Sequence, residues 1–91
     1  FLSGARGYAE QGIFPGGAFD NKAHVDAFVK FDASLGEPAE MLLFDPQTSG
    51  GLLLGVPQDK LAAFEERAKE LGQPIWAVGK VHSGQGIEVQ P

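Results

Sequence analysis

Leu61, Phe64, Ala68 and Leu71 recur at helical spacing, while Lys60, Glu65, Glu66, Lys69 and Glu70 fall largely outside that stripe. The pattern predicts an amphipathic helix over residues 58–71, ended by Gly72 where a left-handed cap is usual. Two apolar runs flank it. Leu52 to Val56 is continuous, as in a strand covered on both faces; Gly55 marks a bulge or a close backbone neighbour, and Pro57 ends the run. Ile75 to Val81 alternates, with Ile75, Ala77 and Gly79 on one side and Trp76, Val78 and Lys80 on the other. Ser83-Gly84-Gln85-Gly86 reads as a hairpin turn returning through Ile87-Glu88-Val89. From Leu52 onward the expected order is strand, helix, strand, strand.

The first half is more broken. Residues 1–12 carry a helical stretch weakened by Gly4 and Gly7 and capped by Gly12. Ile13 to Lys22 reads as an irregular connection in which Pro15-Gly16-Gly17 forces a turn and Asp20 or Asn21 caps the next element. A short helical or extended piece with His24 and Val25 leads to a strand near Phe28–Phe31. Its alternation is clean only with Phe28 at the junction. Glu37 precedes a proline and is biased extended, whereas Pro38 suits the first turn of a short helix running to Leu43. That helix delivers Phe44 to the core before Asp45-Pro46 stops it. Helices combined with a mixed β-sheet give an α+β fold.

Composition narrows the chemistry. A chain of 91 residues is one small domain or a piece of one, and 43% hydrophobic with 21% charged residues is ordinary for an ordered globular protein. A formal charge of -5 argues against nucleic acid, whose phosphates need clustered Lys and Arg. With no cysteine there is no disulfide, thiolate metal site or cysteine nucleophile. No run has the length of a membrane span, and no basic region leads an apolar core at the start, so a cytoplasmic protein without membrane contact is expected. Opening on Phe1-Leu2-Ser3 suggests a piece of a longer protein.

Chemical content concentrates in Gln47-Thr48-Ser49-Gly50-Gly51, between Asp45-Pro46 and Leu52. One reading is a backbone and hydroxyl nest that contacts phosphate or positions a neighbouring loop. The other is a tight turn whose Thr and Ser satisfy local backbone groups. The stretch is not a P-loop, since it lacks the lysine and opens a strand rather than a helix. Gly50-Gly51 offers backbone conformations closed to other residues. A lone Asp45 is read as capping the turn rather than ligating a metal, because a Mg²⁺ site typically joins carboxylates to substrate phosphates. His24 and His82 have no second ligand at a recognised spacing. Ser3, Ser34, Ser49 and Ser83 lack a nucleophile-elbow context, and Trp76 is read as core. No catalytic residue and no metal ligand is assigned.

The string Leu43-Phe44-Asp45-Pro46-Gln47-Thr48-Ser49-Gly50-Gly51-Leu52-Leu53 resembles the signature in the C-terminal domain of selenophosphate synthetase, also called selenide, water dikinase. Upstream, Gly12-Ile13-Phe14-Pro15-Gly16-Gly17 with Asn21 resembles that family's "G-x-x-P-G-G … N" segment, and downstream Ile75–Val81 resembles its penultimate strand. The resemblance implies an α+β domain of the aminoimidazole ribonucleotide synthetase superfamily, of which residues 1–91 are an incomplete C-terminal domain. It implies an enzyme that makes selenophosphate from ATP, selenide and water, releasing AMP and orthophosphate, with Mg²⁺ as cofactor. An N-terminal domain of the same protein builds a homodimer, and the C-terminal domain closes over the nucleotide. Residues 47–51 become a site-lining loop. The family's catalytic cysteine or selenocysteine, its partner lysine and its metal-binding aspartates match nothing here, so the isolated chain is expected to need no cofactor, to leave ATP unhydrolysed and to self-associate through uncovered apolar surface. Two alternatives remain: a fragment of another ATP-using enzyme of the superfamily, or a small non-enzymatic interaction module.

Overall fold

Pro15 takes φ −66° and ψ 145° and leads straight into a helix whose first turn contains Gly16 and Gly17. The fixed φ of proline just ahead of a helix sacrifices no intrahelical hydrogen bond, and the Ala18 amide donates to the Pro15 carbonyl at 3.0 Å. The expected irregular connection over 13–22 is thus largely helix, and Asp20 and Asn21 lie inside it rather than at its cap. The computed structural model describes residues 1–91. Its elements are α1 (Ala5–Glu10), α2 (Gly16–Val25), a 3₁₀ turn at Asp26–Phe28, β1 (Val29–Phe31), α3 (Glu37–Leu42), a second 3₁₀ turn at Gln58–Lys60, α4 (Leu61–Glu70) and β2 (Ile87–Val89). The class is α+β. No helix is long and apolar enough to cross a membrane.

The chain divides into two units, Phe1–Gly50 with Gly84–Pro91, and Gly51–Ser83. In the first, Gly12 ends the α1 segment at φ +73°, and Pro38 lies in the first turn of α3, both as the sequence indicates. Ala18, Met41 and Phe44 form the buried centre, with Phe14, Val25 and Phe31 packed around it. The Phe31 and Phe44 rings meet edge to face, centroids 5.6 Å apart, a favourable arrangement of ring quadrupoles.

β1 pairs with β2 in parallel, Val29 opposite Ile87, Lys30 opposite Glu88 and Phe31 opposite Val89. The expected hairpin between Ile75–Val81 and Ile87–Val89 is therefore absent, and the sheet is a single parallel pair. Gly84 and Gly86 have φ of +143° and +85°. At Gly86 a Cβ would stand 2.7 Å from the Phe28 carbonyl oxygen, so only glycine brings the chain alongside β1. Beyond the ladder, the Asp32 amide donates to the Val89 carbonyl at 2.9 Å. The Asp32 carboxylate accepts from the Ser34 hydroxyl at 2.6 Å and the Ser34 amide at 2.9 Å. Those donors stabilise the anion and hold its pKa below the ordinary carboxylate value. Gly86→Ala is expected to remove more than ~2 kcal/mol, from the left-handed φ and the clash together. An unchanged urea midpoint would show that the pairing does not form in solution.

In the second unit the helical stripe stands as expected. Leu61 and Phe64 are half-buried and Ala68 is buried along one side of α4, although Leu71 is exposed. Gly72 takes φ +63°, its amide donates to the Lys69 carbonyl at 3.1 Å, and the Gln73 amide donates to Ala68 at 2.9 Å. These bonds satisfy carbonyls left over at the helix end. The charged face carries an Arg67–Glu70 pair at 2.7 Å. By contrast, Leu52–Val56 and Ile75–Val81 join no sheet, and Leu52, Trp76 and Val81 are 88%, 79% and 95% exposed. Strand preference is expressed only where a neighbour accepts the backbone hydrogen bonds, and neither run finds one. Trp76 is accordingly not a core residue in this structure.

Candidate functional site

The loop that carries the candidate residues starts from the end of α3. The Phe44 and Asp45 amides donate to the Met41 and Leu42 carbonyls at 3.2 and 3.4 Å, closing the last turn and burying Phe44 to 6% exposure. The Gln47 amide then donates back to the Asp45 carbonyl at 2.8 Å, a three-residue γ-turn with Pro46 at its centre. Direction therefore reverses immediately after the core residue. Everything from Asp45 to Gly50 is exposed.

These residues, together with Leu2, line an open groove of about 470 Å³. It includes Gln47, Thr48, Ser49 and Gly50; Gly51 opens the second unit instead. The amides of Thr48, Ser49 and Gly50 and the two hydroxyls make no hydrogen bond within the chain. Short donors thus face solvent with their bonding capacity unspent. The reading of Thr48 and Ser49 as satisfying local backbone groups is not what the structure shows.

Two details differ from expectation. Neither Gly50 nor Gly51 has positive φ. Gly50 instead lies under the Gln47 side chain, where an added Cβ would meet Oε1 at 2.8 Å and displace that exposed, flexible amide. The Gln47 side chain thus folds back over the loop. The Asp45 carboxylate caps nothing; its backbone carbonyl holds the turn.

Electrostatically the groove is half a site. It offers neutral donors and one carboxylate, and no Lys or Arg lines it. Nowhere do three His, Cys, Asp or Glu side chains gather in a way that would hold a metal ion. His24 is exposed, and His82 Nδ1 lies 3.2 Å from the Ser83 carbonyl beside it. Residues 1–91 thus do not fit a Mg²⁺ site or a complete phosphate site by themselves. They present one open wall of uncharged donors with a single carboxylate.

The sequence did not reveal what the wall stands on. Gly17 and Asn21 of α2 touch the base of the loop, through Pro46 and Phe44 respectively. Asn21 belongs to the upstream motif, yet a helix-capping role was the only one its residue type suggested. An asparagine inside a helix, one turn after a glycine, was the available signal, since both weaken a helix interior.

Compared with known proteins, residues 16–91 match the family model described as AIR synthase related protein, C-terminal domain. The chain belongs to this family. The AIR synthase related match starts at the first residue of α2 and takes in the whole loop, leaving α1 outside. The chain is similar to the selenide, water dikinase of Pseudomonas aeruginosa, 40% identical over 89 residues, covering 98% of this chain and 25% of that protein. It is 36% identical over 89 residues to the selenide, water dikinase of Caldanaerobacter subterraneus (97% of this chain, 26% of that protein). The enzyme of the same name from Myxococcus xanthus is 38% identical over 82 residues (89% and 23%). The chain thus spans about a quarter of the length of these curated relatives. No solved structure gives a significant match.

Proposed function

We propose that this chain is the C-terminal part of a selenophosphate synthetase, an enzyme that makes selenophosphate from ATP, selenide and water and releases AMP and orthophosphate. Within such an enzyme the loop Gln47–Gly51 lines the nucleotide site. The observation that carries this reading is the exposed row of free donors from Thr48 to Gly50, within the string that resembles the signature of the selenium enzymes. Neutral donors next to a low-dielectric protein surface stabilise phosphate oxygens well only when cations share the load. The missing positive charge, the Mg²⁺ ligands and the nucleophile are assigned to other parts of the parent protein, and with them the dimer contacts. ATP binding supplies the phosphoryl groups; the residues here orient and hydrogen-bond, and no proton or phosphoryl transfer passes through them.

A chimera tests this directly. The matching quarter of the Pseudomonas aeruginosa selenide, water dikinase is replaced by these 91 residues, and AMP release from ATP is followed with and without selenide. Selenide-dependent AMP formation by the chimera, and none by the 91-residue chain alone, is expected. A folded chimera with no selenide-dependent turnover refutes the assignment, and activity in the chain alone refutes the division of labour.

A further inference from the structure

Two stretches remote in sequence meet at the foot of the groove. Along α2, Gly17, Ala18, Asn21 and Lys22 occupy one side, being adjacent or one turn apart. Ala18 is fully buried against Met41 and Phe44. Asn21 Nδ2 donates to the Phe44 carbonyl at 2.9 Å, in partly buried surroundings. The Lys22 ammonium stands 5.3 Å from the Phe44 ring centre. At Gly17 an added Cβ would lie 3.1 Å from Pro46 Cγ and 3.4 Å from Pro46 Cβ. The residue ahead of the γ-turn is therefore tied to α2 by a hydrogen bond, and the proline at its centre rests on bare helix backbone.

Asn21 makes the only side-chain hydrogen bond in the chain that joins residues more than four positions apart. Both contact residues are poor helix formers, glycine by about 1 kcal/mol and asparagine by about 0.5 kcal/mol relative to alanine. The helix gives up stability at the two points where it meets the loop.

We propose that Gly17 and Asn21 are positioning residues for the loop: α2 is its seat, and they fix the direction in which Thr48, Ser49 and Gly50 present their donors. The proposal rests on the reading of the groove as the lining of a nucleotide site. It unites the Pro-Gly-Gly … Asn segment and the Thr-Ser-Gly-Gly segment into one device. Asparagine is suited to the task because its amide donates while remaining neutral, whereas an aspartate of the same shape would oppose its charge to the carbonyl.

The test uses the 91-residue chain with Asn21→Asp and Gly17→Ala, read by amide NMR with the α4 amides as internal control. Displacement of the Asp45 and Gln47–Gly50 amides in both variants, with the α4 amides unmoved, is expected. A purely structural role would lower the melting temperature without singling out the loop. Loop amides that stay in place in both variants overturn the proposal. Should Asn21→Asp disturb the fold, Gly17→Ala decides alone, since alanine favours the helix. ATP is then titrated as probe into the chimera described above, where the parent's cations are present, and the Asn21→Asp chimera is expected to need about tenfold more ATP for half-saturation, the equivalent of one charge-assisted hydrogen bond. If the unaltered chimera binds no ATP, the nucleotide-site reading fails while the first comparison still decides the seat. If ATP binds equally to the unaltered, Asn21→Asp and Gly17→Ala chimeras, the seat is wrong and the nucleotide-site reading stands.

Discussion

Phe44→Ala is expected to unfold the first unit at room temperature. Phe44 is the largest member of a buried centre otherwise made of Ala18 and Met41, and its ring also makes the edge contact with Phe31. Truncating a buried phenylalanine costs about 3–5 kcal/mol, transfer and cavity terms together. Small domains have only about 5–15 kcal/mol in total, and this unit stands toward the lower end because few side chains are fully enclosed. Circular dichroism and urea titration provide the measurement. The expected result is loss of a cooperative transition in Phe44→Ala and its retention, shifted by about 1 kcal/mol, in Phe44→Leu. An unaltered transition in the alanine variant would place the core elsewhere.

The second large effect concerns the uncovered apolar runs. Leu52, Leu53, Trp76, Val78 and Val81 are each more than three-quarters exposed, and their segments have free backbone donors and acceptors in place of a ladder. Exposed apolar surface joined to an unpaired strand edge is a template for association. The isolated chain is expected to enhance the fluorescence of an apolar dye strongly and to show a mass in light scattering that rises with concentration. Replacing Leu53 and Val78 together by lysine is expected to suppress both, because a charge on an edge opposes pairing. A monodisperse, dye-silent chain at high concentration would refute the exposure of these runs.

How far the sequence reached depends on how local each determinant is. The 61–70 helix with its Gly72 cap, the Pro38 helix and the Phe28 junction are set by residues a few positions apart, and the pattern contained them. The strands needed partners, which periodicity does not specify. Ile87–Val89 was recognisable as a strand, yet its pairing with Val29–Phe31 rather than Ile75–Val81 depends on the close pass of Gly86 beneath the Phe28 carbonyl. The loop Gln47–Gly51 was conspicuous through its small polar residues. Its support by Gly17 and Asn21 was not, because a helix face and a loop base meet only in three dimensions.

That pairing also orders events in time. Val29 can find Ile87 only after every residue between them has been made, so a chain emerging from the ribosome holds β1 without its neighbour while the whole 51–83 insertion is synthesised. Closing so long a loop is entropically costly and slow compared with forming the helices on either side. During that interval the β1 edge is open to foreign strands, and a nascent-chain chaperone that shields Val29–Phe31 would raise the yield of this protein more than one acting on the helices.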